Sequence, residues 1–503
     1  MTALGAHDYV VVGAGSAGCA AARRLLDGGA RVALVEAGGP ASNPAIHDPG
    51  RWPELAFSEV DWAHYTEPQE ACAGRRLYWP RGKVMGGSGA LNGMGWIRGH
   101  RLDYDGWAYH GCPGWGWDDV LPVFKSIEDF DRGADALHGA GGPVRVTTRY
   151  EPHPLLAAMV AAAQQAGVPF NDDHNGETLD GVGYSQLTIR DGVRETGASA
   201  FIDPVAGHPD LTLYTGEQVL GLCFAGARCS GVEVAGGTIE AGREVVLCAG
   251  TLESPKLLML AGIGPADELA RHGIERRVEL PGVGRNLHDH LLAPVIFASP
   301  RAIPGVLPGL SQHHAHLFWR SRPGLPVPDT QPLCFHFPMY DDEWMQGPAE
   351  AYTFPGGLIR TLSRGTLRLR SADPTAAPVM DPRALSAAGD VDALTASVAL
   401  CREIGRQPGL AEWTARELYP GPEVRTDGEL REYVRRVAVS YHHQVGTCRM
   451  GSDDEAVVDP RLRVHGVEGL RVADASIMPS VTTGITNAPS MMIGARAAAM
   501  MLA

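Results

Sequence analysis

The first forty residues carry two short apolar runs separated by a glycine turn and a stretch of helical spacing. Residues 9–12 (Tyr-Val-Val-Val) form a β-branched run without a polar interruption, the pattern of a strand buried on both faces. A glycine turn at 13–18 leads into helical spacing over 17–27, which Gly28-Gly29 ends, and residues 31–36 return to strand. This is a complete βαβ opening. Further along, the pattern predicts a helix over 155–166 and short strands at 211–214, 219–224 and 231–234 with turn signals between them. A buried strand follows at 243–248 and a helix at 254–260. From about 291 to 370, apolar and polar positions alternate between Pro-rich turns, which predicts an antiparallel sheet. Residues 392–406 are helical. The stretch 52–116 has no period; it is aromatic and Gly-rich, and predicts long excursions folded over a ligand. The chain then returns to strand, turn and a packed terminal helix over 488–503, which includes Arg496. No stretch reaches the roughly 18 consecutive apolar residues of a membrane span.

Composition narrows the class. A chain of 503 residues predicts two domains. With 44% hydrophobic and 20% charged residues it reads as a globular protein, and 63 Gly with 37 Pro predict many ordered loops. A net charge of -15 argues against nucleic acid as a partner and leans towards a cationic ligand. Nine cysteines, an odd number with no C-x-x-C pair, predict buried thiols rather than a disulfide framework. The first nine residues lack the basic-then-apolar pattern of a secretion leader. The expected location is therefore the cytoplasm, away from any membrane.

Four motifs carry candidate chemistry. Gly13-x-Gly15-Ser16-x-Gly18, with Glu36-Ala37 ending the second strand, fits the fingerprint of a dinucleotide site. Its glycines let backbone approach a pyrophosphate, the helix N-terminus faces the phosphate charge, and Glu36 accepts from ribose hydroxyls. That fingerprint alone leaves FAD and NAD both open. In the second motif, Arg81-Gly-Lys-Val84-Met-Gly86-Gly87-Ser-Gly-Ala-Leu-Asn92-Gly93-Met94, clustered glycines let a loop lie against a flat ligand while Asn92 bonds its edge; a plain surface turn fits as well. The third, Tyr441-His442-His443-Gln-Val-Gly, offers a histidine whose ordinary pKa suits a general base, although the segment alone fits a structural core histidine slightly better. No further ligands lie nearby, so no metal site is expected. The fourth joins a strand ending at Asp474-Ala475 to Gly484-Ile485-Thr-Asn487-Ala488-Pro489, with Pro489 placed for the first turn of the last helix.

In combination these stretches resemble the glucose–methanol–choline (GMC) oxidoreductases over nearly the whole chain. Residues 82–92 resemble the family's first signature, Gly250 to Gly264 its second, and Pro281-Gly-Val-Gly-Arg-Asn286-Leu-His-Asp289-His290 a third recurring loop. The resemblance implies an α/β fold: a Rossmann-like FAD domain (1–150, 190–297 and 440–503) and a substrate domain on an antiparallel sheet flanked by helices (151–189 and 298–439). It implies FAD contacts at Gly13, Gly15, Ser16, Gly18, Glu36, Ala37, Arg81, Val84, Gly86, Gly87, Asn92, Gly93, Met94, Val219, Asp474, Ala475, Asn487 and Ala488. His443 matches the family's active-site histidine, and His442 becomes a pocket wall.

The chain departs from the family pattern in three places. A second histidine or asparagine is usual ahead of the last helix. Ile485 stands there, so Ile485 becomes a substrate contact and Asn487 the candidate second catalytic residue. Leu91 replaces the histidine that attaches FAD covalently in some members, which implies noncovalent FAD. Ala261 replaces a serine of the second signature. The implied reaction takes a hydride from a primary alcohol while His443 removes the hydroxyl proton. Electrons then pass to oxygen or another acceptor. The charge balance leans towards a cationic or amino-sugar alcohol of the aminoglycoside type; an aryl alcohol or a choline-like substrate is the alternative. An FAD-containing lyase or a noncatalytic FAD-binding protein are readings of another class, and Ile485 counts against the lyase. Trp319, His313, His316, His336 and Trp344 are candidate pocket residues. Strand alternation would put His314 and His316 on one face and His313 on the other, against a metal cluster.

Overall fold

The computed structural model describes residues 2–341 and 344–503. The β-branched opening becomes β1 (Ala3–Val12), followed by α1 (Ser16–Asp27) and β2 (Val32–Glu36). The chain returns to the same sheet with β3 (Leu211–Thr215), β4 (Gly221–Ala225), β5 (Arg228–Val234) and β6 (Gly237–Leu247), then enters α2 (Gly250–Leu260). The strand order is β3-β2-β1-β6-β5-β4. β3, β2, β1 and β6 run parallel, whereas β6-β5-β4 is an antiparallel meander.

The second sheet starts with β7 (Leu291–Ala298), which pairs antiparallel with β8 (Ala351–Leu358) along all eight residues of each strand. α3 (Ala388–Ile404) covers it. β9 (Arg416–Tyr419) flanks the other side of β7, and β10 (Val439–Ser440) pairs at its beginning. Both central strands are buried at every position, which is why hydrophobicity there is nearly continuous. The chain finally rejoins the first sheet through β11 (Leu470–Val472), parallel to the end of β6, and closes with α4 (Asn487–Leu502) packed on α1.

The structure alters several expectations. β1 and β6 start well before residues 9 and 243, because their N-terminal halves pair with each other from Ala3↔Thr238 onward. Residues 219–220 stay outside β4. The domain boundary expected at 297/298 falls inside β7, so the chain crosses between the sheets just before Leu291. The antiparallel sheet expected over 291–370 takes two of its strands from beyond that range. Ala315–Phe318 leaves it to pair with Gly181–Tyr184. The stretch 52–116 also contains a helix, Arg101–Tyr109, fixed by a reciprocal His100/Asp103 cap and the buried rings of Tyr104 and Trp107. Among the described residues no helix is long and apolar enough to cross a membrane.

Candidate active site

The carboxyl ends of β1 and β2 open into a cavity of about 1400 Å³ that continues to the second sheet. Two glycine loops form its floor, and they fit a flat dinucleotide. A Cβ on Gly18 would lie 1.9 Å from the Gly13 carbonyl oxygen, and one on Gly87 would lie 2.6 Å from the Gly15 Cα. Only bare backbone packs this closely, which leaves amides and Cα surfaces free to face a pyrophosphate. Glu36 stands at the end of β2, buried. Its two carboxylate oxygens accept from the Ala14 and Gly38 amides, each at 2.9 Å, and burial pushes its pKa up to about 7. Each oxygen keeps a lone pair for a ribose hydroxyl.

Gly13, Gly15, Ser16, Glu36, Ala37, Arg81, Gly87, Asn92, Gly93, Met94, Val219, Asp474, Ala475 and Asn487 line this cavity. Gly18, Val84, Gly86 and Ala488 instead lie behind its wall. Gly18 packs on Gly13, the Gly86 amide bonds the Ala14 carbonyl, and Val84 and Ala488 are wholly buried. They support the loops rather than face a ligand. Asn92 accepts from the Met94 amide and from Arg194 Nη1, both at 2.9 Å, and so fixes the second loop. Asp474 accepts from the Gly250 amide, the Ser254 hydroxyl and the Ser476 amide, which ties the stretch from Gly250 to Gly264 to the fourth motif.

The other lobe of the cavity ends at His443. Its amide donates to Asp289 Oδ1 at 2.7 Å, while Asp289 Oδ2 accepts from Gln444 and Ser440. Burial lifts the Asp289 pKa to about 6 against these donors and Arg81. The His443 ring lies 4.3 Å from that of Tyr441, and its Nδ1 is 3.1 Å from His290 Nδ1. Burial, with His290, His442, Arg81 and His313 nearby, pushes the His443 pKa well below the ordinary value, so the ring is a neutral base at physiological pH. His442 has a left-handed backbone (φ 68°) and lines the cavity, and its carbonyl accepts from Arg81 Nη2 at 2.7 Å. Ile485 faces the same lobe in an apolar cluster with Phe335, Phe337, Met339 and Leu292.

Asn487 belongs with the first glycine loop. Its Oδ1 accepts from the Ser16 hydroxyl at 2.6 Å, and Gly89 packs beside it. That places it at the first turn of α4 beside the first glycine loop, in the same cavity that His443 lines. Of the candidate pocket residues, His313 lines the cavity; the others have different company. His316 Nε2 meets His174 Nδ1 at 3.1 Å, His336 stacks on His153, Trp344 lies under Arg436, and Trp319 packs on the core. His314 accepts from the His153 amide. No group of three or more potential metal ligands is placed to hold an ion among the described residues. Asp289, His290, Ser440 and Gln444 gather around His443. Residues 289 and 290 lie in a recognised loop, but nothing local signals that it returns to residue 443.

This fold and site define an oxidoreductase with a dinucleotide lobe and a histidine-ended substrate lobe. The chain belongs to the GMC oxidoreductase family, whose profiles match residues 7–292 and 361–494. Human mitochondrial choline dehydrogenase is 41% identical, over 98% of this chain and 89% of its own length. The oxygen-dependent choline dehydrogenase of Brucella ovis is 39% identical over 97% and 94%. The crystal structure of pyridoxine 4-oxidase from Mesorbium loti superposes with a TM-score of 0.94, at 36% identity over 98% of both chains. Members of this family are FAD flavoproteins, and the fitted loops assign FAD to the dinucleotide lobe.

Proposed function

We propose that this protein oxidises an aromatic primary alcohol to its aldehyde. Bound FAD supplies the hydride acceptor. The neutral His443 ring at the end of the cavity carries this reading: it bonds the substrate hydroxyl and takes its proton as the carbon loses hydride. The first turn of α4, lined by Thr486, Asn487 and Ser490, offers amides and a helix dipole to anionic charge developing nearby. Leu91 lines the cavity and offers no nucleophile, which supports noncovalent FAD.

The substrate lobe favours the aryl alternative over an amino sugar. Phe335 and Phe337 stack at 4.9 Å, and Trp52 meets both at about 6.5 Å. Leu292, Leu333, Met339 and Ile485 complete the wall. A polycation buried here would need carboxylates. Those lining the cavity stand elsewhere: Glu36 and Asp474 serve the nucleotide lobe, Glu217 stands beside Glu36 with its amide on the Glu36 carbonyl at 2.9 Å, Glu253 pairs with Lys256 at 2.9 Å, and Asp341 pairs with Arg75 at 2.9 Å. Pyridoxine 4-oxidase, named for an aromatic alcohol, agrees with this choice. A single ammonium could still sit over such rings, so choline is the second substrate to try.

The test is anaerobic flavin bleaching with benzylic and pyridyl alcohols, choline and aminoglycosides, followed by air. Benzylic or pyridyl alcohols should bleach fastest, and return of colour with peroxide would identify oxygen as acceptor. His443→Ala should remain yellow while its reduction rate falls by about 10²–10⁴-fold. Wild-type reduction in that variant would remove His443 from the chemistry. Acid-precipitated protein should release its flavin; flavin left in the pellet would refute noncovalent attachment.

A further inference from the structure

His290 is wholly buried just before β7, and its Nδ1 lies 3.1 Å from His443 Nδ1. The two rings are nearly perpendicular (87°) with centroids 5.2 Å apart, so one ring's edge points at the other's nitrogen. Two neutral imidazoles at this distance share one proton: one Nδ1 donates and the other accepts. The choice decides whether His443 can be a base. If His290 donated, the proton of neutral His443 would sit on Nε2, leaving no free lone pair for the substrate. If His443 donates through Nδ1, Nε2 is bare.

The surroundings of His290 select the second arrangement. Burial and Arg360 push its pKa down to about 3, so the ring carries one proton. Its Nε2 is sealed from water without a hydrogen bond; with Nδ1 turned to His443, the Ile359 carbonyl beside the ring favours a proton on the other nitrogen. A carbonyl is an acceptor and favours N–H at Nε2. His290 Nδ1 is then bare and accepts from His443. The backbone on both sides is fixed, since the Tyr441 amide bonds the His290 carbonyl at 2.9 Å and the His443 amide bonds Asp289.

We propose that His290 is a positioning residue: by accepting a hydrogen bond from His443 Nδ1–H it fixes the tautomer that leaves His443 Nε2 free to receive the substrate hydroxyl proton. After transfer the His443 ring is an imidazolium with both nitrogens protonated, and its Nδ1–H bond to His290 is retained. His290 thereby does part of what a polar residue at position 485 would do, since Ile485 can neither orient the base nor hold the hydroxyl. This role rests on the alcohol-oxidising reading of the site, but the tautomer is measurable without turnover.

Side-chain ¹⁵N correlation spectra of ¹⁵N-histidine-labelled holoenzyme, with His443 assigned by its loss in His443→Ala, should show His443 protonated at Nδ1 and unprotonated at Nε2. A protonated Nε2 would overturn the proposal, whatever the substrate proves to be. His290→Phe should keep its FAD and lose about 10²–10⁴-fold in flavin reduction, the range that general-base catalysis supplies. His290→Asn, whose amide oxygen can accept from Nδ1–H, should recover at least tenfold of that loss. Equal rates for Phe and Asn variants that both retain FAD would refute the hydrogen-bond role. If no alcohol bleaches the wild type, the proposed reaction falls, and the ¹⁵N spectrum alone decides the tautomer.

Discussion

Three donors converge on Asp289 deep inside the protein: the His443 amide, the Ser440 hydroxyl and the Gln444 amide group. An asparagine there would have one acceptor oxygen and would turn its own N–H groups towards donors. Losing a hydrogen bond to a buried charged group costs about 1.5–3 kcal/mol, and here it would release the turn that aims His443. Asp289→Asn should therefore retain FAD but lower the rate of flavin reduction at least about tenfold, read by stopped-flow absorbance; an unchanged rate would mean that the turn holds itself. This residue also shows where sequence reading stops. The family resemblance singled out His443 and Ile485, and both line the cavity. Asp289 meets His443 across 154 residues, a closure made by the pairing of β7 with β10 that no local pattern records. The surroundings of Asn487 were hidden for a related reason: its spacing to Ile485 was legible, but not that α4 starts beside Ser16.

Helix α4 lies so close to α1 that a Cβ on Gly494 would stand 2.0 Å from the Ala17 carbonyl oxygen. Gly494 sits in helical backbone without a positive φ, so its requirement is steric, not conformational. Gly494→Ala should push the helices apart and destabilise the protein by about 1–3 kcal/mol, the usual cost of overpacking. Because Ser16 and Asn487 join the same two helices at the cavity, the variant should also release FAD more readily on dilution. Gly207→Ala, whose added carbon meets nothing within 4 Å, is the control. Equal melting temperatures for the two variants would refute the argument. At this scale the βαβ opening and α4 were readable because local pattern and burial agree. The boundary inside β7 was not, because eight consecutive buried positions look alike whichever sheet they join. Arg101–Tyr109 was hidden by its aromatic content, which lowers helix propensity while supplying the packing that makes it.

Over the whole molecule, buried neutral histidines set the response to acid. His64, His174, His313, His314 and His336 have pKa values pushed down to about 4, and His290 to about 3, each chiefly by burial. In the unfolded chain each would titrate near 6.5. Below that pH the unfolded state binds more protons than the folded one, so stability falls as pH drops. Glu36 and Asp289 act in the opposite sense, because their raised values of about 7 and about 6 make the folded state the better proton binder over part of the same range. Six groups oppose two, each shifted by two units or more at about 1.4 kcal/mol per unit, so the histidines decide the sign. At the alkaline end His138, bonded to Asp173 at 3.0 Å and raised to about 8, contributes stability that is complete below 6.5 and lost as pH rises through 8. Stability should therefore peak between about pH 6.5 and 8 and decline steeply from pH 6.5 towards 4. The acid decline should survive 0.5 M salt, because burial rather than surface attraction causes it. Melting temperatures of the holoenzyme at half-unit steps, with and without salt, check both points. A flat profile between pH 7 and 5 would mean that these imidazoles are hydrated in solution and accept protons without unfolding the chain.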